Sequence, residues 1–179
     1  MALREEKIAK ALTEAKRTAA GTHILKTSML SRSNRELLLA TGWLQEIIRG
    51  WYMLVRPDLA TGDTAAWYAN YWDFIRLYLQ ERFGERYCLS AESSLDVHTE
   101  KSTIPSQLIA MTYQGAGITK LMHDLSLMTY VDTKNFPQQH IVKKNNLNVM
   151  SLPYALCRIA PSYFQKNPAD EGMAACLIT

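Results

Sequence analysis

One stretch constrains this chain more than any other: residues 27–55, TSMLSRSNRELLLATGWLQEIIRGWYMLV. Helix and strand signals alternate in it within a short span. A helical turn is expected at Ser28–Ser31, followed by a tight turn and a second helix opening at Ser33. Ser33 and Glu36 stand at the spacing of a capping box, in which each side chain satisfies a free backbone N–H at a helix start. Leu37, Leu38 and Leu39 give that helix an apolar face, and Gly42 can take the left-handed conformation that ends it. The runs Trp43–Arg49 and Trp51–Val55 are rich in β-branched and aromatic residues and meet at Arg49-Gly50, which predicts a hairpin.

The flanking residues extend the pattern. Leu3, Ile8, Ala11, Leu12 and Ala15 recur near helical spacing, so residues 3–20 are expected to form a first helix that stops at Gly21. Ile24-Leu25-Lys26 reads as a short strand that pairs with the hairpin, and Pro57, Gly62 and Asp63 mark a loop or linker. Helix, strand, short helix, helix and hairpin is the order of a winged helix-turn-helix, which sets one helix in a DNA major groove with a hairpin beside it. The expectation is therefore an α+β protein: a winged helix-turn-helix DNA-binding domain over residues 1–60, then a small mixed α/β domain over 61–179.

That second part opens with a helix expected over Thr64–Phe83, whose Trp67, Tyr71, Phe74, Ile75, Tyr78 and Leu79 form a stripe at i, i+3, i+4 spacing. Such a stripe is core in preference to a base-stacking or ligand-caging surface; Tyr68 and Trp72, on the other face, suit an interface. A strand at Tyr87–Leu89 and a helix from Ser90 through Val97 follow. Further strands are expected at Gln107–Thr112, broken by Gly115 and Gly117, and at Leu127–Val131, Gln139–Val142 and Leu147–Val149. Helices at Leu152–Ala160 and Ala169–Leu177 close the chain.

Charge is unevenly divided. Residues 1–60 carry ten Lys/Arg against six Asp/Glu, and residues 61–179 carry ten against eleven, within a net charge of +3. The basic excess lies around the helix-turn-helix pattern, as phosphate contact requires, although many helices are as basic. No apolar run is long enough for a membrane span and the start, MALREEKIAK, lacks a signal peptide's apolar segment, so the expected compartment is the cytosol. Cys88, Cys157 and Cys176 are odd in number and widely spaced, which fits a reducing compartment, and Cys157 is expected in the core. The apolar ending GMAACLIT suggests the front part of a longer protein.

The Ile24–Thr27 segment, Leu30-Ser31-Arg32-Ser33, Gly42-Trp43-Leu44 and Ile48-Arg49-Gly50-Trp51-Tyr52 together resemble the N-terminal domain of AbiEi-type antitoxins. In that family a basic helix precedes a Leu-x-x-x-x-Arg-Gly-x-Tyr wing, here Leu44 through Tyr52. Leu89–Leu95 is similar to the family's helix opening after a short strand. Val149–Leu156 is similar to its late Ser-Pro-x-x-Ala-Leu segment, with Leu152 intervening before Pro153. The resemblance implies a transcriptional regulator, an antitoxin-like repressor of its own operon, with duplex DNA and a cognate toxin as partners and the second domain serving dimerisation or partner contact. A close variant of the arrangement fronts some Fic-family proteins. That implies the alternative: a non-catalytic regulatory module ahead of an AMP-transferring domain. None of the four histidines, His23, His98, His123 and His140, precedes a proline, so the Fic motif His-Pro-Phe is absent.

Arg32, Ser33, Asn34 and Arg35 stand where such proteins place base-contacting side chains, and Arg and Asn make bidentate contacts to guanine and adenine. The bland alternative is a solvated helix cap. Arg32, Asn34 and Arg35 are expected to read the major groove, with Arg49 at the wing tip entering the minor groove or touching phosphate. Lys26 and Thr27 are weaker phosphate contacts, and Lys16 and Arg17 weaker still. Glu92, Asp96 and Glu100 lie near Ser93, Ser94 and His98, but no nucleophile elbow, phosphate loop or His-x-x-x-His spacing accompanies them. No enzyme, metal or cofactor is expected.

Overall fold

Leu30 turns into the core, and the serine directly after it is the working start signal of the next helix. The computed structural model describes residues 2–57 and 64–170, with residues 173 and 175. In it helix α1 spans Ala2–Thr18, strand β1 Ile24–Lys26, a 3-10 turn Thr27–Met29 and helix α2 Arg32–Ala40. The cap is Ser31, whose hydroxyl accepts the Asn34 amide at 3.2 Å, which corrects the expected opening at Ser33. Glu36, the other half of the expected capping box, instead accepts from Arg32 one turn earlier, at 2.7 Å. The earlier start gains this i, i+4 pair.

Helix α2 ends in a Schellman motif, with the Trp43 amide on the Leu38 carbonyl and the Gly42 amide on that of Leu39. The motif needs a left-handed residue, and Gly42 supplies it at φ +73°. Strands β2 (Leu44–Ile48) and β3 (Trp51–Leu54) follow, joined by Arg49-Gly50, with Gly50 at φ +87°. Strand β1 adds to β3, so the antiparallel sheet runs β1-β3-β2. Ala11, Ala15 and Ala19 of α1 pack with Leu25, Leu30, Leu38, Leu44, Tyr52 and Leu54 in one core. Their small side chains allow α1 a close approach.

Helix α3 spans Ala65–Phe83, and all six residues of its expected stripe are buried. The chain divides inside this helix into two units, Met1–Leu77 with Leu121–His123, and Tyr78–Lys120 with Asp124–Thr179. The first unit therefore takes in the front of α3 beyond residue 60.

In the second unit β4 (Tyr87–Leu89), β5 (Gln107–Thr112), β6 (Gly117–Lys120) and β7 (Ser126–Val131) form a mixed sheet ordered β4-β5-β7-β6, with β5 and β7 parallel. Helix α4 (Ala91–His98) is capped by Ser90, and β8 (Ile141–Lys144) and β9 (Leu147–Met150) make a separate hairpin. Asn148 of β9 reaches the outer edge of β4, where its amide nitrogen donates to the carbonyls of Tyr87 at 3.3 Å and Glu85 at 3.4 Å. Helices α5 (Leu152–Arg158) and α6 (Pro161–Lys166) follow.

Strand β5 ends at Thr112, ahead of Gly115 and Gly117 as expected, and an edge strand that was not foreseen, β6, starts at Gly117. Two expectations are corrected in this unit. Residues Gln138–His140 form a 3-10 turn, and the strand begins only at Ile141. Cys157 is exposed, since α5 buries Ala155 and turns residue 157 away. Gly62, Asp63, Cys176 and most of the helix expected over Ala169–Leu177 lie outside the described residues. The protein is thus of mixed α+β class, and no described helix is long and apolar enough to cross a membrane.

Candidate nucleic-acid interface

The first turn of α2 carries Arg32, Ser33, Asn34 and Arg35, and they divide by what they touch. Arg32 and Ser33 are exposed. The Arg32 guanidinium bonds the Glu36 carboxylate, with the two side chains 84% and 60% accessible. This bond, reinforced by charge, holds the Glu36 carboxyl below its usual range and raises Arg32. Exposed pairs of this kind are worth little and exchange readily for another anion.

Asn34 and Arg35 are half-buried and already engaged. The Asn34 amide donates to the Glu14 carboxylate of α1, and Arg35 Nη1 donates to the Thr27 carbonyl at 3.3 Å. Thr27 in turn donates its backbone N–H to the Gly50 carbonyl at 2.9 Å and its hydroxyl to the same oxygen at 3.3 Å. The start of α2 and the hairpin tip are therefore neighbours, bridged by a single threonine. Arg49, at that tip, is exposed. Lys26 is half-buried, with its ammonium 5.8 Å from the Trp51 ring centroid. Lys16 and Arg17 are exposed in the last turn of α1.

The sequence reading did not single out Glu14. Twenty residues separate it from Asn34, and only folding of α1 onto α2 joins them.

The aromatic stripe is core: Trp67 stacks edge-on against Tyr71 at 5.6 Å and packs on Phe74 at 5.7 Å. Burial pushes the Tyr71 phenol upward. Tyr68 is exposed and stacks on His123.

The acidic and serine residues of α4 do not converge. The Ser94 hydroxyl donates to the Leu89 carbonyl and accepts the Met150 amide, and Ser93 accepts the Ile109 amide. His98 Nε2 lies 2.7 Å from the Met150 carbonyl. Asp96 sits 3.2 Å from Lys101 Nζ without hydrogen-bond geometry, while Lys101 also pairs with Asp170 at 2.9 Å. Cys88 is buried, which pushes its thiol up to about 12. An open groove of about 520 Å³ lies between Glu85, Arg86, Tyr113, Phe136, Gln138 and Ile141. Among the described residues no three His, Cys, Asp or Glu side chains gather as metal ligands do.

Compared with known proteins, the chain matches no family model and none of the curated proteins.

Proposed function

We propose that residues 1–60 are a winged helix-turn-helix and that the protein binds duplex DNA sequence-specifically, as an antitoxin-like transcriptional repressor. The observation that carries this reading is the adjacency of the α2 first turn and the Arg49 hairpin tip through Thr27. One narrow surface thus offers a helix start and a basic hairpin tip, the pair of elements that follows adjacent grooves of one duplex. The sheet order β1-β3-β2, with the hairpin last in sequence, supports the same assignment.

In this reading Arg32 and Ser33 meet base edges in the major groove, and Arg32 exchanges Glu36 for the nucleic acid. Arg49 meets phosphate or the minor groove. Asn34 and Arg35 contribute by holding α2 in place, and read bases only if their present bonds are given up. The second unit would serve dimerisation or a partner such as a cognate toxin.

The test is affinity for the gene's own upstream duplex against salt. Each neutralised phosphate steepens the slope of log affinity on log salt by about 0.9. Arg49→Ala should flatten the slope by about one phosphate, and Arg32→Ala should cost about 1–3 kcal/mol on the upstream duplex and narrow its preference over unrelated DNA. A salt-independent response, or full affinity in both variants, would sink the reading.

A second reading draws on Leu39, an apolar α2 side chain 38% exposed, and on Glu36 and Glu46 beside the basic residues. These suit docking on protein, as in a regulatory module ahead of a Fic-type transferase. It predicts no binding to the duplex and loss of partner binding on Leu39→Lys.

A further inference from the structure

Thr27 uses every hydrogen-bonding group it has on its own chain. Its N–H and hydroxyl both donate to the Gly50 carbonyl, at 2.9 and 3.3 Å, and its carbonyl accepts from Arg35 at 3.3 Å. On the far side of the tip the Gly50 N–H donates to the Glu46 carboxylate at 3.4 Å. The bonds run as a chain: α2 through Arg35 to Thr27, Thr27 to the tip glycine, and the glycine to β2. The tip is also sterically close to Thr27, since a Cβ built on Gly50 would lie 3.6 Å from Thr27 Oγ1. A hydroxyl that contacts phosphate should be free to turn outward, whereas this one points back at the hairpin.

We infer that Thr27 is a positioning residue, a strut that locks the hairpin tip to the first turn of α2, and that it makes no contact with nucleic acid itself. The inference rests on the DNA-binding reading for its functional consequence, while the strut itself is a property of the free protein. The β1–β3 ladder holds the hairpin as far as Lys26 and Trp51, and the strut carries that order one residue further to the tip, before any ligand engages it. Thr27 then acts through Arg49, and its removal should matter only while Arg49 is present.

Two measurements on the full chain test this. In the free protein, amide exchange at residue 27, corrected for intrinsic rates, should quicken about fivefold in Thr27→Val, as on losing one neutral hydrogen bond. It should stay near the unsubstituted rate in Thr27→Ser, which keeps the hydroxyl. Unchanged exchange in Thr27→Val overturns the strut. With the upstream duplex as probe, Thr27→Val should weaken binding about fivefold alone and less than about twofold in an Arg49→Ala background, the non-additivity of coupled residues. Equal losses in both backgrounds overturn the positioning role, because they mean that Thr27 touches DNA independently. If the unsubstituted chain binds no duplex, the DNA reading fails, and the exchange measurement still decides the strut.

Discussion

Among the described residues nine polar or charged side chains are buried, and of these only Asn70 belongs to the first unit; the other eight, from Ser90 to Asp170, belong to the second. In the first unit the core of α1, α2 and the β1-β3-β2 sheet is alanine, leucine and tyrosine. In the second, hydroxyls and an amide hold irregular strand ends in place, as Ser94 and Asn148 do. A buried polar group that is fully bonded fixes a shape, whereas an exposed one with a replaceable partner is available to a ligand. By that criterion the Arg32–Glu36 pair of the first unit and the exposed Lys143–Glu85 pair of the second are open to a ligand, whereas the buried polar groups of the second unit serve as scaffold.

The contrast can be broken by substitution. The largest effect should come from Leu38→Ala, which empties a fully buried site in the first core and should cost about 3 kcal/mol in urea unfolding. Ser94→Ala should cost about 1–3 kcal/mol, since it strips the Met150 amide of a buried acceptor. Asn34→Ala removes a comparable bond at a half-buried site and should cost about 1 kcal/mol or less. Should Asn34→Ala prove as damaging as Ser94→Ala, the distinction between the two units is void.

Asp96 gives a pH-dependent test. Burial raises its carboxyl above the usual range, with Lys101 opposing. The folded state therefore holds the proton more tightly than the unfolded chain, and this contribution is present at low pH and lost as pH rises through the folded value. Asp96→Asn should accordingly raise the urea midpoint at neutral pH, with a gain that shrinks as pH falls toward about 4, the unfolded carboxyl value. A gain that grows on acidification would reverse the assignment. The smallest expected change in urea midpoint is that of Arg32→Ala, because the arginine and its partner are both exposed.

Much of the first unit was legible because its signals are local. The glycine stop at Gly42, the Arg49-Gly50 joint and the apolar runs on either side each act within a few residues. The start of α2 was misread because Ser31 and Ser33 both stand three residues before a polar side chain. What chose between them was burial of Leu30 and the Arg32–Glu36 pair, neither of which a cap pattern contains. Helix α6 went unread because Pro161, at its first turn, looks like a terminator when a helix is already assumed before it. The parallel pairing of β5 with β7, with β6 inserted between them in sequence, has no local sign at all. The candidate site was legible as residue types but not as partnerships: Glu14 with Asn34, and Thr27 with Gly50, exist only after the chain has closed on itself.

Asn148 has one more consequence. By bonding the Tyr87 carbonyl at the start of β4, and the Glu85 carbonyl just before it, the side chain occupies positions that a strand from another molecule would need for docking. One terminus of the four-stranded sheet is thereby blunted against self-templating growth. The remaining edge is β6, short, glycine-started and lysine-ended, the kind of strand that discourages a neighbour from joining. Asn148→Val should therefore harm more than folding: it should reopen the β4 edge and lower the concentration at which the protein stays dispersed.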